Sequence, residues 1–382
     1  MTVPPYLVIM LISLLLGYLA GIIMHRSDYC IAGMFRDLFL FKHTFMLRTL
    51  VLLVVSNIIL FELARQSGLV LYPFPPTGSP SLSAVIGGAL FGIGMILAGG
   101  CPTATLYKMG SGNFLSLIAF TGIISGCLLY AEIHPYCAAF IKQTTFFQGR
   151  ITIPQMLGAD PLIVISATAA AGGFFIIRWL RDGKLVRPSN AEGYFQPWKA
   201  AVCLAFIGVV AYVVVGKPIG VTNGYAKLGA YIEGIFFRGH VEGLPFFKAT
   251  PINYMHPLTN IHMQGGSGPW FDAVSVMELP IIIGIVFGSA CSAVLLREFR
   301  IYYNVPYRQY ISAFTGGVLM GLSARLSLGC NVTHLLGGLP ILTGQSILFL
   351  AGLVPGAWLG SKMLVHMVLK NDEEIGKGEV HI

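Results

Sequence analysis

The chain is a succession of apolar runs, each about as long as a bilayer is thick. A helix crossing the hydrocarbon core needs about 20 mostly apolar residues, and about nine such runs occur. They lie near 5–23, 48–66, 82–100, 114–131, 161–180, 200–216, 280–296, 309–328 and 345–368. Of the 382 residues only 10% are charged and 55% are hydrophobic, whereas a watery surface uses about 25% charged residues. This excludes disorder, a disulfide-stapled secreted domain, and nucleic acid as a main partner. It predicts an all-α polytopic membrane protein whose surroundings are the lipid bilayer. The first run has no basic leader (it opens MTVPPY) and is long for a signal peptide, so a retained helix is expected.

Charge orients the runs. Arg26, Arg36, Lys42 and Arg48 separate the first two. Arg178, Arg181, Lys184, Arg187 and Lys199 separate the fifth and sixth, and Arg297, Arg300 and Arg308 the seventh and eighth. With alternating spans these loops share one side, which the positive-inside rule makes cytoplasmic. The N-terminus is then outside and the C-terminus inside, while the Pro-rich stretch Tyr72–Pro80 and the segment 217–279 fall outside.

An internal repeat organises the chain. Gly87–Cys101 (GGALFGIGMILAGGC) aligns without a gap on Gly316–Cys330 (GGVLMGLSARLSLGC), and Gly122-x-x-x-Gly126 answers Gly352-x-x-x-Gly356. Small residues four apart let helix backbones approach closely. The matched runs are the third and eighth, so they cross in opposite directions. An inverted-topology repeat follows, with a substrate site expected near the midplane. The division expected is 1–180 as first membrane repeat, 181–199 as cytoplasmic linker, 200–370 as second membrane repeat and 371–382 as cytoplasmic tail. The breaks at Gly-Gly-Cys-Pro and Leu-Gly-Cys-Asn predict broken or re-entrant segments, tolerated at membrane depth where protein or water covers the backbone. Cys101 and Cys330 would then meet near the centre.

Of seven cysteines, Cys127, Cys203 and Cys291 lie inside apolar runs and read as small core hydrophobes. Cys137, on the predicted outer side, has no evident partner. Cys30, Cys101 and Cys330 instead end apolar runs beside backbone-bending residues (SDYCIAG, AGGCPTAT, SLGCNVTH). Gly100 and Gly329 let the backbone approach whatever those thiols touch. Thiols suit soft, polarisable guests, either sulfur or selenium anions or a soft metal. His25 and His334 lend the metal some support. Free N–H groups at half-helix starts favour an anion, so a sulfur-containing anion is the preferred guest.

At these residues the chain resembles the YeeE/YedE (sulphur-transport) membrane protein family. Met24–Asp37 is similar to the family element QRxxFCxxxxFRD, Gly92–Asn113 to GxGxxLAGGCxxGxxYKxGxG, and Gly317–Cys330 to the third cysteine element, with Asn331 and Gly337–Pro340 echoing a GCN…GxP variant. The resemblance implies uptake of thiosulfate across the bacterial inner membrane. Cys30, Cys101 and Cys330 would form a non-covalent relay, with a small TusA-like sulfur-carrier protein as cytoplasmic partner. A branch associated with selenium compounds is the alternative. The chain departs at Thr103-Ala104-Thr105, where the family has a glycine, at Ser327-Leu328 before the third thiol, and at His25 in place of Gln.

Arg325 sits in an apolar run, which makes it by default functional. It reads as a counter-ion for the substrate, or as a long stem reaching the interface. Lys108 either helps hold an anion or marks the positive boundary. Arg36-Asp37 forms a local pair or attracts the anion at the inner mouth. Gly216–Gly224 (GKPIGVTNG) stands where the second half should match Cys30, without a cysteine, and is expected to dip inward. The rest of 217–279, with His240, His256, His262 and Trp270, reads as an external loop with no metal-site spacing. Transport is favoured over a membrane sulfurtransferase, which needs a base-paired thiolate or a CxxC pair, and over a soft-metal carrier or a scaffold. No Walker motif is present, no cofactor is expected, and the chain is read as no enzyme.

Overall fold

In lipid every backbone polar group must be satisfied within the chain, so apolar runs of this length become helices. The computed structural model describes residues 5–69, 78–189, 191–256, 259 and 261–369. Positions 72–77 of the Pro-rich stretch and the tail 371–382 lie outside the described residues. The first half runs α1 (Pro5–Ser27), α2 (Ile31–Phe41), α3 (Phe45–Gln66), α4 (Leu82–Leu97), α5 (Pro102–Gly110), α6 (Phe114–Gln143), α7 (Ile153–Leu157) and α8 (Pro161–Arg181). The second half runs α9 (Pro197–Val215), α10 (Thr222–Phe236), α11 (Arg238–Gly243), α12 (Pro245–Lys248), α13 (Ala273–Leu295), α14 (Tyr307–Leu326) and α15 (Gly344–Leu364). An antiparallel hairpin, β1 (Ile252–Met255) and β2 (His262–Gly265), pairs Ile252 with Gly265 before α13.

Among the described residues eight helical stretches are long and apolar enough to cross a membrane. Two of them, Tyr6–Phe41 and Leu82–Gly110, contain a break. The eighth expected run, α14, is not among the eight, because it carries Arg308 and Arg325 among glycines and serines.

The packing is mirrored between the halves. α1 lies on α13 and α9 on α3; α4 lies on α15 and α14 on α6; α2 meets α15 and α10 meets α6. Each of these helices therefore packs mainly on a helix of the other half, in pairs that exchange when α1, α2, α3, α4 and α6 are swapped for α9, α10, α13, α14 and α15. Glycine makes the two central crossings possible. A Cβ on Gly88 or Gly92 of α4 would run into the carbonyls of Phe349 or Leu353 on α15. One on the aligned Gly317 or Gly321 of α14 would run into those of Ala119 or Ile123 on α6. The reciprocal pairs Gly352/Gly356 and Gly122/Gly126 face the same backbones from the other side.

The segment 217–279 is more than the loop expected. Its first part forms α10, which packs against α6 and α13. Lys227 of α10 is fully buried, and its Nζ donates to the carbonyls of Gly268 (2.6 Å) and Trp270 (2.7 Å) and pairs with Asp272 (3.0 Å). A buried ammonium must find such partners, so the lysine gathers the loop before α13 onto α10. Farther out, His240 binds Glu132 at 2.7 Å and Glu233 at 3.6 Å, and the Glu132 hydrogen bond raises the imidazole pKa.

Candidate functional site: three thiols between two cavities

The same local structure occurs at all three singled-out cysteines. Two residues before each thiol the backbone turns left-handed: Asp28 at φ 47°, Gly99 at 68° and Leu328 at 62°. The residue before each thiol donates its N–H five residues back, Tyr29 to Met24 (3.1 Å), Gly100 to Met95 (3.1 Å) and Gly329 to Ala324 (2.8 Å). This satisfies carbonyls that a stopped helix leaves open. The cysteine then starts a new helical turn, its carbonyl accepting from Met34, Thr105 or His334. Cys30 and Cys101 are N-caps, with Sγ accepting from Gly33 N and Ala104 N at 3.4 Å. Cys330 Sγ lies 3.5 Å from Thr333 Oγ1. All three thiols are buried and free.

The thiols are near one another. Cys101 lies within electrostatic reach of both Cys30 and Cys330, and the Asn331 side chain stands beside its thiol. Asn331 Oδ1 accepts from Val332 N (3.0 Å), while its buried Nδ2 makes no hydrogen bond among the described residues. Tyr225 of α10 closes the space from the second half by donating to the Pro102 carbonyl at 2.8 Å. Tyr107 of α5 donates to Asp28 at 2.9 Å, tying the second break to the first.

A cavity opens on either side of this cluster. The first, of about 420 Å³, is lined by Arg325, Gly329, Thr333 and His334 around Cys330, and by Lys217, Asn223 and Glu278. The second, of about 360 Å³, is lined by Cys30, Arg36, Asp37, Lys108 and Arg187. One follows the C-terminal end of α9 and the other precedes its N-terminal end, so they belong to opposite faces. Gly100, Cys101 and Asn331 line neither and lie between them.

The other sequence candidates divide accordingly. Arg325 does not reach for an interface: it is 7% exposed, and its guanidinium donates to Asn223 Oδ1 and Thr222 Oγ1, leaving Nε without a partner among the described residues. Lys108 Nζ donates to the Gly99 carbonyl at 2.9 Å, bracing the second break while facing the second cavity. Arg36 pairs with its neighbour Asp37 at 3.2 Å. Cys127 is buried, its thiol 3.7 Å from the Gly321 carbonyl, whereas Cys137, Cys203 and Cys291 are half-buried. Gly216–Gly224 does dip inward, ending α9 and starting α10 at the first cavity.

One group of polar residues escaped sequence reasoning. Glu278 is buried at the start of α13 and accepts from Lys217, from Asn223 Nδ2 (2.7 Å) and from Gly224 N (2.8 Å). Through Asn223 this network reaches Arg325. Its only sequence signal was a lone Glu two residues ahead of an apolar run, with a Lys in the matched break. Removing the carboxylate strands a buried ammonium, so Glu278→Ala should cost about 3–5 kcal/mol. The thermal midpoint of the detergent-purified variant measures the loss, and replacing Lys217 by Met in the same chain should restore part of it.

The family profile described as Sulphur transport matches residues 26–359, which takes in all three breaks and both cavities. The chain belongs to the sulphur transport family. Among its relatives, the thiosulfate transporter TsuA of Spirochaeta thermophila is 28% identical, over 91% of this chain and 98% of its own. TsuA of Escherichia coli is 26% identical, over 91% and 93%. A probable transporter of Escherichia coli, YedE, is 33% identical over 27% of this chain and 24% of its own. As a member of the sulphur transport family the chain is a multi-pass membrane transporter and not an enzyme.

Proposed function

We propose that this chain imports thiosulfate across the bacterial inner membrane, passing it from Cys330 to Cys101 to Cys30. The observation that carries this reading is the threefold recurrence of one helix break, each time with a buried thiol, with Cys101 near both other thiols, Cys30 lining one cavity and Cys330 against the wall of the other. Two full-length relatives named as thiosulfate transporters support the choice of anion. The first cavity is the outer entrance and the second the cytoplasmic exit, an orientation that the Arg- and Lys-rich loops on the Cys30 side support. The N-terminus is then outside and the C-terminus inside, with 1–180 and 200–370 as the inverted halves joined by 181–199.

The residues divide the work by chemistry. A thiol is a weak donor and a soft acceptor, so each can replace part of the hydration of a polarisable sulfur anion without forming a bond to it. Asn331 Nδ2 supplies a further donor at the middle thiol. Gly100 and Gly329 keep the backbone N–H groups close to the path. Arg325 at the entrance and Lys108 at the exit supply positive charge. A chain of weak sites lets the anion leave as readily as it enters. A TusA-like carrier would receive it at the mouth of the Cys30 cavity.

Uptake of labelled thiosulfate into cells lacking their own importers tests this, with selenium oxyanions as competitors. Saturable uptake that excess unlabelled thiosulfate suppresses is the expected result. No uptake above empty-vector cells would overturn it. Suppression by a selenium oxyanion at far lower concentration than thiosulfate would move the substrate to selenium.

A further inference from the structure

Buried polar atoms without a hydrogen bond are rare in folded chains, and two of them belong to side chains that line the first cavity. One is Nε of Arg325 on α14; the other is Nε2 of His334, in the turn that follows Cys330. These side chains are 7% and 4% exposed, so neither is served by bulk water. Between them in sequence lies Cys330, whose thiol touches the Thr333 hydroxyl of the cavity wall.

The proton on His334 can be placed from the hydrogen bonds around it. Ser346 N donates to Thr343 Oγ1, and that hydroxyl donates to Ser346 Oγ at 2.8 Å. The Ser346 hydroxyl hydrogen is then free to point at His334 Nδ1, 2.9 Å away. With that hydroxyl as donor, Nδ1 is the acceptor and the neutral ring carries its hydrogen on Nε2. The Ser327 carbonyl near the ring agrees with a proton there, although Nε2 makes no hydrogen bond to it. Phe349 stacks on the imidazole at 4.2 Å and 20°, fixing its plane. A Cβ on Gly329 would come within 3.5 Å of Nε2, so the glycine keeps the approach open.

We propose that His334 Nε2–H and Arg325 Nε–H together bind the oxygen end of the anion in the first cavity while the Cys330 thiol receives its sulfur end. This rests on the transport reading above and deepens it. The entrance selects anions that carry oxygen at one end and a soft sulfur at the other. His334 is a specificity-determining residue that touches substrate.

Thiosulfate uptake kinetics of positional isosteres test the assignment. In His334→Gln the side-chain N–H reaches the place of Nε2, whereas in His334→Asn it reaches only that of Nδ1. Losing a donor to an ionised group costs about a tenfold to hundredfold in affinity. The asparagine variant should therefore raise KM about tenfold with kcat unchanged, and the glutamine variant should stay within about threefold of wild type. His334→Leu, which also lacks a donor at that point, substitutes if the asparagine variant fails to reach the membrane. Equal KM values for donor-bearing and donor-lacking variants, or effects confined to kcat, would overturn the role of His334 and leave transport standing. A wild-type chain without thiosulfate uptake would overturn the transport reading itself.

Discussion

Cys101→Ala and Cys330→Ala should each reduce thiosulfate uptake to background while leaving the amount of folded protein in the membrane unchanged. Cys101 lines neither cavity, and Cys330 sits just behind Gly329 and Thr333 of the first cavity's wall. On the proposed path, an alanine at either point would remove the soft, donating surface that stands in for water around the anion. The cap itself is expendable: Ala104 N loses a sulfur acceptor at 3.4 Å, a weak bond that a half-helix start can replace. Serine separates the contributions, because a hydroxyl donates a hydrogen bond as well as a thiol does but is far less polarisable. Serine variants should retain only a small part of uptake. Normal growth on thiosulfate as sole sulfur source with either alanine variant would remove the relay.

Gly321→Val and Gly92→Val should each prevent most of the chain from reaching a folded state. The two glycines occupy aligned places in the repeat, and at each the added carbon lands on a carbonyl of the partner helix, Ile123 for Gly321 and Leu353 for Gly92. A backbone carbonyl inside a helix cannot turn aside, so the helices must separate. Overpacking costs about 1–3 kcal/mol where side chains can adjust, and here none can. Gly173→Val on α8 is the control, since a Cβ there meets nothing within 4 Å. The folded fraction on size-exclusion chromatography in detergent measures the effect. Three equal profiles would mean that the crossings tolerate separation.

The repeat also explains how much of the site could be read from the chain. Leu328 has the left-handed conformation of the aligned Gly99, which no propensity of leucine would suggest. The alignment of the two segments carried that information, since the paired cysteines already implied paired breaks. Arg325 was conspicuous as a charge in an apolar run, yet whether it pointed to water or to the interior depended on Thr222 and Asn223, about a hundred residues away in sequence. His334 read as a weak metal ligand because its partners, Ser346 and Phe349, belong to α15. Lys217 and Glu278 were missed for the same reason. Each is an isolated charge in sequence, and only the packing of α13 against α10 makes them a pair.

Length and hydropathy of the apolar runs determined helices in a bilayer, because lipid offers the backbone no other partner. The repeated Gly-Cys spacing determined where those helices break, because a chain that stops a helix inside apolar surroundings needs the same turn each time. Only the tertiary structure decided that the halves interleave, α1 on α13 and α9 on α3, and that the breaks converge between two cavities. The physical reason is that close helix crossings and buried hydrogen bonds join residues hundreds of positions apart, and such distances leave no periodicity to read.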